Sequence, residues 1–161
     1  MIFYYLAASA WVKRYYQETG TRWVQQLFAD SVTMACASLG LVEVTATLAR
    51  KAKAREIRRA QLTQKVQELE EDWGRFVQVQ LNLEAMNRAK EVARQQALRG
   101  ADAIHLASAL LLQNRFVEEE DRLIFVASDS ELKDAAQSAG FEVLDPEEQE
   151  SETEPQPKNG G

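Results

Sequence analysis

The chain has 161 residues, which fits one compact domain with a real core and leaves little room for two. It is 45% hydrophobic and 27% charged, which is ordinary globular composition. One cysteine (Cys36) rules out an internal disulfide, one histidine (His105) argues against a multi-histidine zinc site, and no run approaches the roughly 20 apolar residues of a membrane span. The start "MIFYYLAASAWV" lacks the basic leader of a signal peptide, so a cytoplasmic protein is expected.

The net charge is −6, but it is unevenly spread. From Asp145 onward six acids face one lysine, which leaves the remainder nearly neutral. Within that remainder, "RKAKAREIRR" (Arg50 to Arg59) gathers six bases around one acid. A run of this kind is ordinarily a solvated helix face; it is also suited to flank an RNA path or contact a protein partner.

In chain order, "IFYYL" reads as a buried strand, with Ser9 capping a helix over "AWVKRYYQ" that stops near Gly20. "TRWVQQLFA" fits a helix and "VTMACA" a strand, after which Ser38 is expected to cap "LGLVEVTATLARKAKA". Helical spacing resumes from Ala54 to about Trp73, Gly74 breaks it, and "RFVQVQL" alternates like a strand. "NLEAMNRAKEVARQQAL" predicts a helix ended by Gly100, and "ADAIHLASALLLQN" a strongly apolar one. "RLIFVAS" is the clearest strand; Ser128 or Ser130 is expected to cap "ELKDAAQSA", and "FEVLD" makes a last strand. Strands alternating with helices imply a parallel sheet covered on both faces. Residues 148–161, rich in Pro, Glu, Gln and Gly, are expected to be a disordered acidic tail behind a domain of residues 1–147.

Ligands of open α/β sheets bind beyond the carboxyl ends of the strands. Asp129 follows "RLIFVAS", Asp102 lies in a first helical turn, and Glu43 stands near the start of the helix after "VTMACA", so all three are expected at that edge. Each of the two aspartates also has an ordinary structural use, as a dipole complement or a turn former. Glu43 among apolar and small neighbours requires a partner or a function. Clustered carboxylates repel unless a cation holds them, and hard oxygen donors suit Mg²⁺ or Mn²⁺. His105, three residues past Asp102, is placed to hydrogen-bond that acid; a packed helix histidine is the alternative, and it is not assigned a catalytic role.

"YYLAASAWVKRYYQETG", "LVEVTATLAR", "LRGADAIHLASALLL" and "FVASDSELKDAAQSAGFEVLDPEE" occur in an order and spacing that resembles PIN-domain proteins, above all the VapC-type toxins of toxin–antitoxin pairs. The resemblance covers residues 2 to 147 and implies a three-layer α/β/α fold with a five-stranded parallel sheet. It also implies a Mg²⁺- or Mn²⁺-dependent endoribonuclease with metal-binding acids at four places, an RNA substrate, a cognate antitoxin and a homodimer. Glu43, Asp102 and Asp129 match three of the four acids. The fourth, the aspartate of the family's "LDAS", is replaced here by Ala7; Ser9 matches a small hydroxyl residue near the metal, and Ala127 stands where the family often has Ser or Thr. The resemblance therefore implies an impaired or inactive ribonuclease, or a non-catalytic module that binds an antitoxin or RNA without cleavage.

Overall fold

The computed structural model describes residues 1–153. Five strands form one wholly parallel sheet: β1 (Ile2–Leu6), β2 (Thr33–Ala37), β3 (Val77–Val79), β4 (Arg122–Val126) and β5 (Glu142–Leu144). Their spatial order is β3-β2-β1-β4-β5, with β1 in the middle. The chain winds outward from β1 to β3, then crosses back to lay β4 on the other side. The order of strands thus reverses between β1 and β4, the switch point at which such sheets bind ligands. Helices cover both faces, as parallel strands buried on each side require: Tyr5, Leu6, Phe125 and Val126 are fully buried.

The helices are α1 (Ala8–Trp11), α2 (Thr21–Ala29), α3 (Ser38–Lys53), α4 (Arg59–Trp73), α5 (Leu83–Gln96), α6 (Gly100–Phe116), α7 (Ser130–Ser138) and α8 (Pro146–Thr153). Every strand expected from the sequence is present, and the boundaries of α2 are as read. The helix expected over residues 10–17 is much shorter: α1 tightens after one turn into a 3-10 segment, Val12–Arg14. Its aromatic and β-branched residues are poor helix formers, and their buried side chains set the path instead. Trp11 stacks on Phe76 at 4.6 Å, and its indole N–H donates to the Tyr15 hydroxyl, which donates to buried Asp72 of α4.

The expected caps are corrected in the same way. Ala7 and Ala37 hold the N-cap positions of α1 and α3, so Ser9 and Ser38 lie inside helices. Asp129, not a serine, caps α7 by accepting the Leu132 N–H. Residues 54–58 form a break rather than a helical turn, with Arg55 in the left-handed region (φ 61°). Ala97, also left-handed, ends α5, and Gly100 begins α6.

The acidic tail is corrected in part. Residues 146–153 form α8, which docks on α2, while residues 154–161, also expected to be disordered, lie outside the described residues. The reason is a charge complement invisible to composition. The α2 N-terminus has no side-chain cap of its own, and the carboxylate of Glu150 accepts the Gly20 and Arg22 N–H groups at 2.8 Å each. Gly20 is required there, because its φ is +100° and a side chain would press on Pro146 and Lys13.

The backbone N–H of Gly20 above all, then those of Arg22 and Trp23, hold the Glu150 carboxyl below the usual range, although slight burial opposes them. Its contribution to stability is therefore present above its ordinary value of 4.5 and is lost as pH falls through the lowered folded value. Glu150→Ala is expected to cost about 1 kcal/mol, the scale of a lost N-cap. Urea denaturation at neutral pH should show the full difference, and denaturation in acid should show it vanish.

Candidate active site

At the carboxyl edge of the central strand, the chain leaves β1 through Ala7, whose N–H donates to Val126 of β4 at 2.9 Å. Ala7 is buried and has only a methyl group to offer where the turn faces the sheet edge. Two residues on, the Ser9 hydroxyl accepts the Ser128 N–H at 3.1 Å and ties the β1 turn to the β4 turn. The second turn is held from below by Asp145, which accepts the Ser128 hydroxyl and the Lys133 ammonium. Burial works against the Asp145 charge, but Lys133, the Glu147 N–H and Ser128 together keep its carboxyl below the usual range.

Glu43 arrives from α3. That helix can approach the sheet because Gly40 has no side chain: a Cβ there would run into the Cys36 sulfur. One turn later Glu43 is two-thirds buried, and it is partnered. The partner is His105 of α6, whose Nε2 lies 2.5 Å from Glu43 Oε1. Of the two readings of His105, the packed helix histidine holds and the bond to Asp102 is corrected: the buried imidazole reaches across to another helix instead of back along its own.

The Tyr5 hydroxyl, in β1, accepts the Ala37 N–H and lies 2.8 Å from His105 Nδ1. The hydroxyl thus bridges the Ala37 N–H and Nδ1, and on the far side of the ring Nε2–H donates to the Glu43 carboxylate. Burial pushes the Tyr5 hydroxyl well above its ordinary pKa, so it stays protonated. A single buried relay thus joins β2, β1, α6 and α3, and it ends on a candidate acid.

Asp102, in the first turn of α6, is half-buried and has no hydrogen-bond partner among the described residues. Its carboxyl is pushed up by burial first and by the Asp129 charge next, with Glu43 adding and His105 and Arg99 opposing. The three acids therefore share one electrostatic field. They do not form a closed cage, since among the described residues no three His, Cys, Asp or Glu side chains are gathered closely enough to hold a metal ion. The causes are local: Glu43 is turned to His105, one Asp129 oxygen caps α7, and β1 supplies a methyl group at Ala7. The donors still suit a hard divalent cation in kind, and partnerless Asp102 bears the repulsion that such a cation would cancel.

Sequence reasoning missed Lys13. It is 98% buried and pairs with Glu18 and Glu147 at 3.0 Å each, beneath a cleft of about 570 Å³ that Ser9, Glu43, Arg50 and Ser128 also line. A lysine inside the apolar segment "AWVKRYY" was the available signal. Cys36 is buried as expected; burial, and then the Glu43 charge, raises its thiol pKa and keeps it unreactive.

A PIN-domain model matches residues 4–138, and the chain belongs to the PIN-domain family, in its VapC branch. Ribonuclease VapC45 of Mycobacterium tuberculosis (strain CDC 1551 / Oshkosh) is 33% identical over 146 residues, 88% of this chain and 97% of that one. Ribonuclease VapC49 of Mycobacterium tuberculosis (strain ATCC 25618 / H37Rv) matches to the same extent. Among solved structures the fold is shared with PAE2754 from Pyrobaculum aerophilum (TM-score 0.64, 16% identity, 94% of this chain and 88% of that one). It is shared also with a toxin–antitoxin complex from Klebsiella pneumoniae (TM-score 0.60, 18% identity, 88% and 96%).

The relay makes a mutational prediction. Tyr5→Phe keeps the ring's stacking on Phe125 but leaves the Ala37 N–H and His105 Nδ1 unpaired in the core. The expected loss is about 1–3 kcal/mol in urea denaturation.

Proposed function

We propose that this chain is a VapC-type endoribonuclease whose metal site, made of Glu43, Asp102 and Asp129, lacks its fourth carboxylate at Ala7. The observation that carries this reading is Asp102, a half-buried carboxylate without a partner, pushed up by its own burial and by the charges of Asp129 and Glu43. Three acids held in mutual repulsion at the switch point of a parallel sheet are a cost to the fold that a catalytic cation offsets. Among the chain's own residues, Asp102 and Asp129 would hold Mg²⁺ or Mn²⁺, with Glu43 fixed beside them by His105. When bound, such an ion activates water and stabilises the charge that develops at a phosphodiester. Ser9 braces the two turns that carry Ala7 and Asp129.

The missing ligand supports a second reading: a non-catalytic module that keeps the partner-binding surface. Solved relatives in fold include a toxin–antitoxin complex and DNA-bound VapBC assemblies, which favours a cognate antitoxin as partner under either reading. A homodimer is supported by exposed Leu83, Met86 and Phe116, where α5 begins and α6 ends. Among the described residues no helix is long and apolar enough to cross a membrane, in keeping with the cytoplasmic location that we infer.

Two measurements test the site. Ala7→Asp is expected to tighten Mn²⁺ binding in calorimetry, and to speed cleavage of structured RNA, by tens- to hundreds-fold; even outer-shell changes at metal sites cost 10–100-fold. If neither form binds metal or cleaves, the ribonuclease reading fails, whereas equal rates would show that Ala7 is not a lost ligand. In metal-free protein, Asp102→Asn removes the repelled charge and is expected to leave stability unchanged or higher at neutral pH. A clear loss in the urea midpoint would contradict the electrostatic account.

A further inference from the structure

The basic run lines a groove. Between the end of α3 and the start of α4 lies a depression of about 910 Å³, walled by Lys53, Arg55, Arg58 and Arg59 and floored by Ile57 and Leu62. No acid lines it. All four bases are exposed, and among the described residues none of their side chains has a carboxylate partner, although Lys51 and Glu56 beside them pair with each other. An ordinary solvated face in a chain of net charge −6 would interleave its charges with acids. The left-handed backbone at Arg55 breaks the helix between the two basic segments, and residues of both line the groove.

The groove lies further along the helix that carries Glu43. Glu43, Thr47 and Arg50 recur at helical spacing on one face of α3 and line the cleft beside the site, and Lys53 follows three residues later. At 1.5 Å per residue, Glu43 and Lys53 are separated by about 15 Å along the helix. We propose that this groove is a phosphate-binding track that holds the RNA backbone on one side of the scissile bond, in a sequence-independent way. The proposal rests on the ribonuclease reading for the identity of the polyanion; its chemistry requires only unpaired cations in a groove.

The test is fluorescence-anisotropy titration of the full chain with a labelled single-stranded oligouridylate in EDTA, where no cleavage can intervene, across a series of salt concentrations. The combined Arg55→Gln, Arg58→Gln and Arg59→Gln variant is expected to lose at least about tenfold in affinity at low salt. Its slope of log affinity against log salt should flatten by about 2, since each phosphate contact on a single strand contributes about 0.7. A control that removes the same charge elsewhere (Arg75→Gln, Lys90→Gln and Arg94→Gln, all exposed) should lose much less. Equal losses in the two variants, an unchanged slope in the groove variant, or no oligouridylate binding by the parent would each overturn the proposal. So would a groove variant that binds RNA normally but fails to retain an acidic protein partner. Cleavage by the Ala7→Asp chain reports on the ribonuclease reading separately: active cleavage with groove-independent binding sinks only the track, and groove-dependent binding without cleavage sinks only the active site.

Discussion

The architecture of the site depends on one hydroxyl group. Tyr5 stands in the middle strand with no solvent contact, and burying its hydroxyl without partners would cost about 1–3 kcal/mol. The fold meets that constraint by giving it a backbone donor from β2 and an imidazole nitrogen from α6. The consequences spread outward. His105 is held at both ring nitrogens, α6 is fixed in rotation about its axis, and Asp102 one turn earlier is fixed at the sheet edge. The other imidazole nitrogen then holds Glu43 in place from α3. The positions of two of the three candidate acids thus follow from satisfying a single buried group.

A second constraint is steric, and it explains why α3 can deliver Glu43 at all. Helices packed on a sheet are normally held off by their side chains. Gly40 removes that separation where α3 crosses Cys36, with His105 and Trp11 next nearest. The close approach of the helix and the reach of the imidazole are the same requirement seen from two elements. Opposite them, the turn after β4 that carries Asp129 is tied at Ser128 by hydrogen bonds to Ser9 and Asp145.

Most of the fold was legible because parallel strands buried on both faces leave unmistakable runs. "RLIFVAS" and "VTMACA" sit within a residue or two of β4 and β2, and the three acids fall at the carboxyl edge that alternating strands and helices imply. The caps were not legible, because a hydroxyl is only a candidate until tertiary demands are known. Ser9 is needed to bridge two turns, and Ser38 donates to Gln80, so neither caps its helix. His105 was legible as a packed helix histidine, but its partner was not, for a related reason. Helical spacing identifies neighbours on one helix, whereas its partner lies 62 positions away and is brought near by the approach at Gly40. The helical part of the acidic tail was missed because composition counts charges but does not know which uncapped backbone N–H groups await them.

That last helix has a consequence for how the molecule comes into being. Glu147 and Glu150 reach Lys13 and Gly20 across 134 and 130 positions of chain. At synthesis rates of about 5–20 residues per second, the start of α2 and the buried lysine emerge on the order of ten seconds before their partners exist. Until then α2 is uncapped and the Lys13 ammonium lacks one of its two carboxylates, so one wall of the cleft is still missing. The nascent chain therefore completes the surroundings of its candidate site only when α8 has emerged, and a ribosome-bound fragment that lacks α8 carries an unfinished cleft.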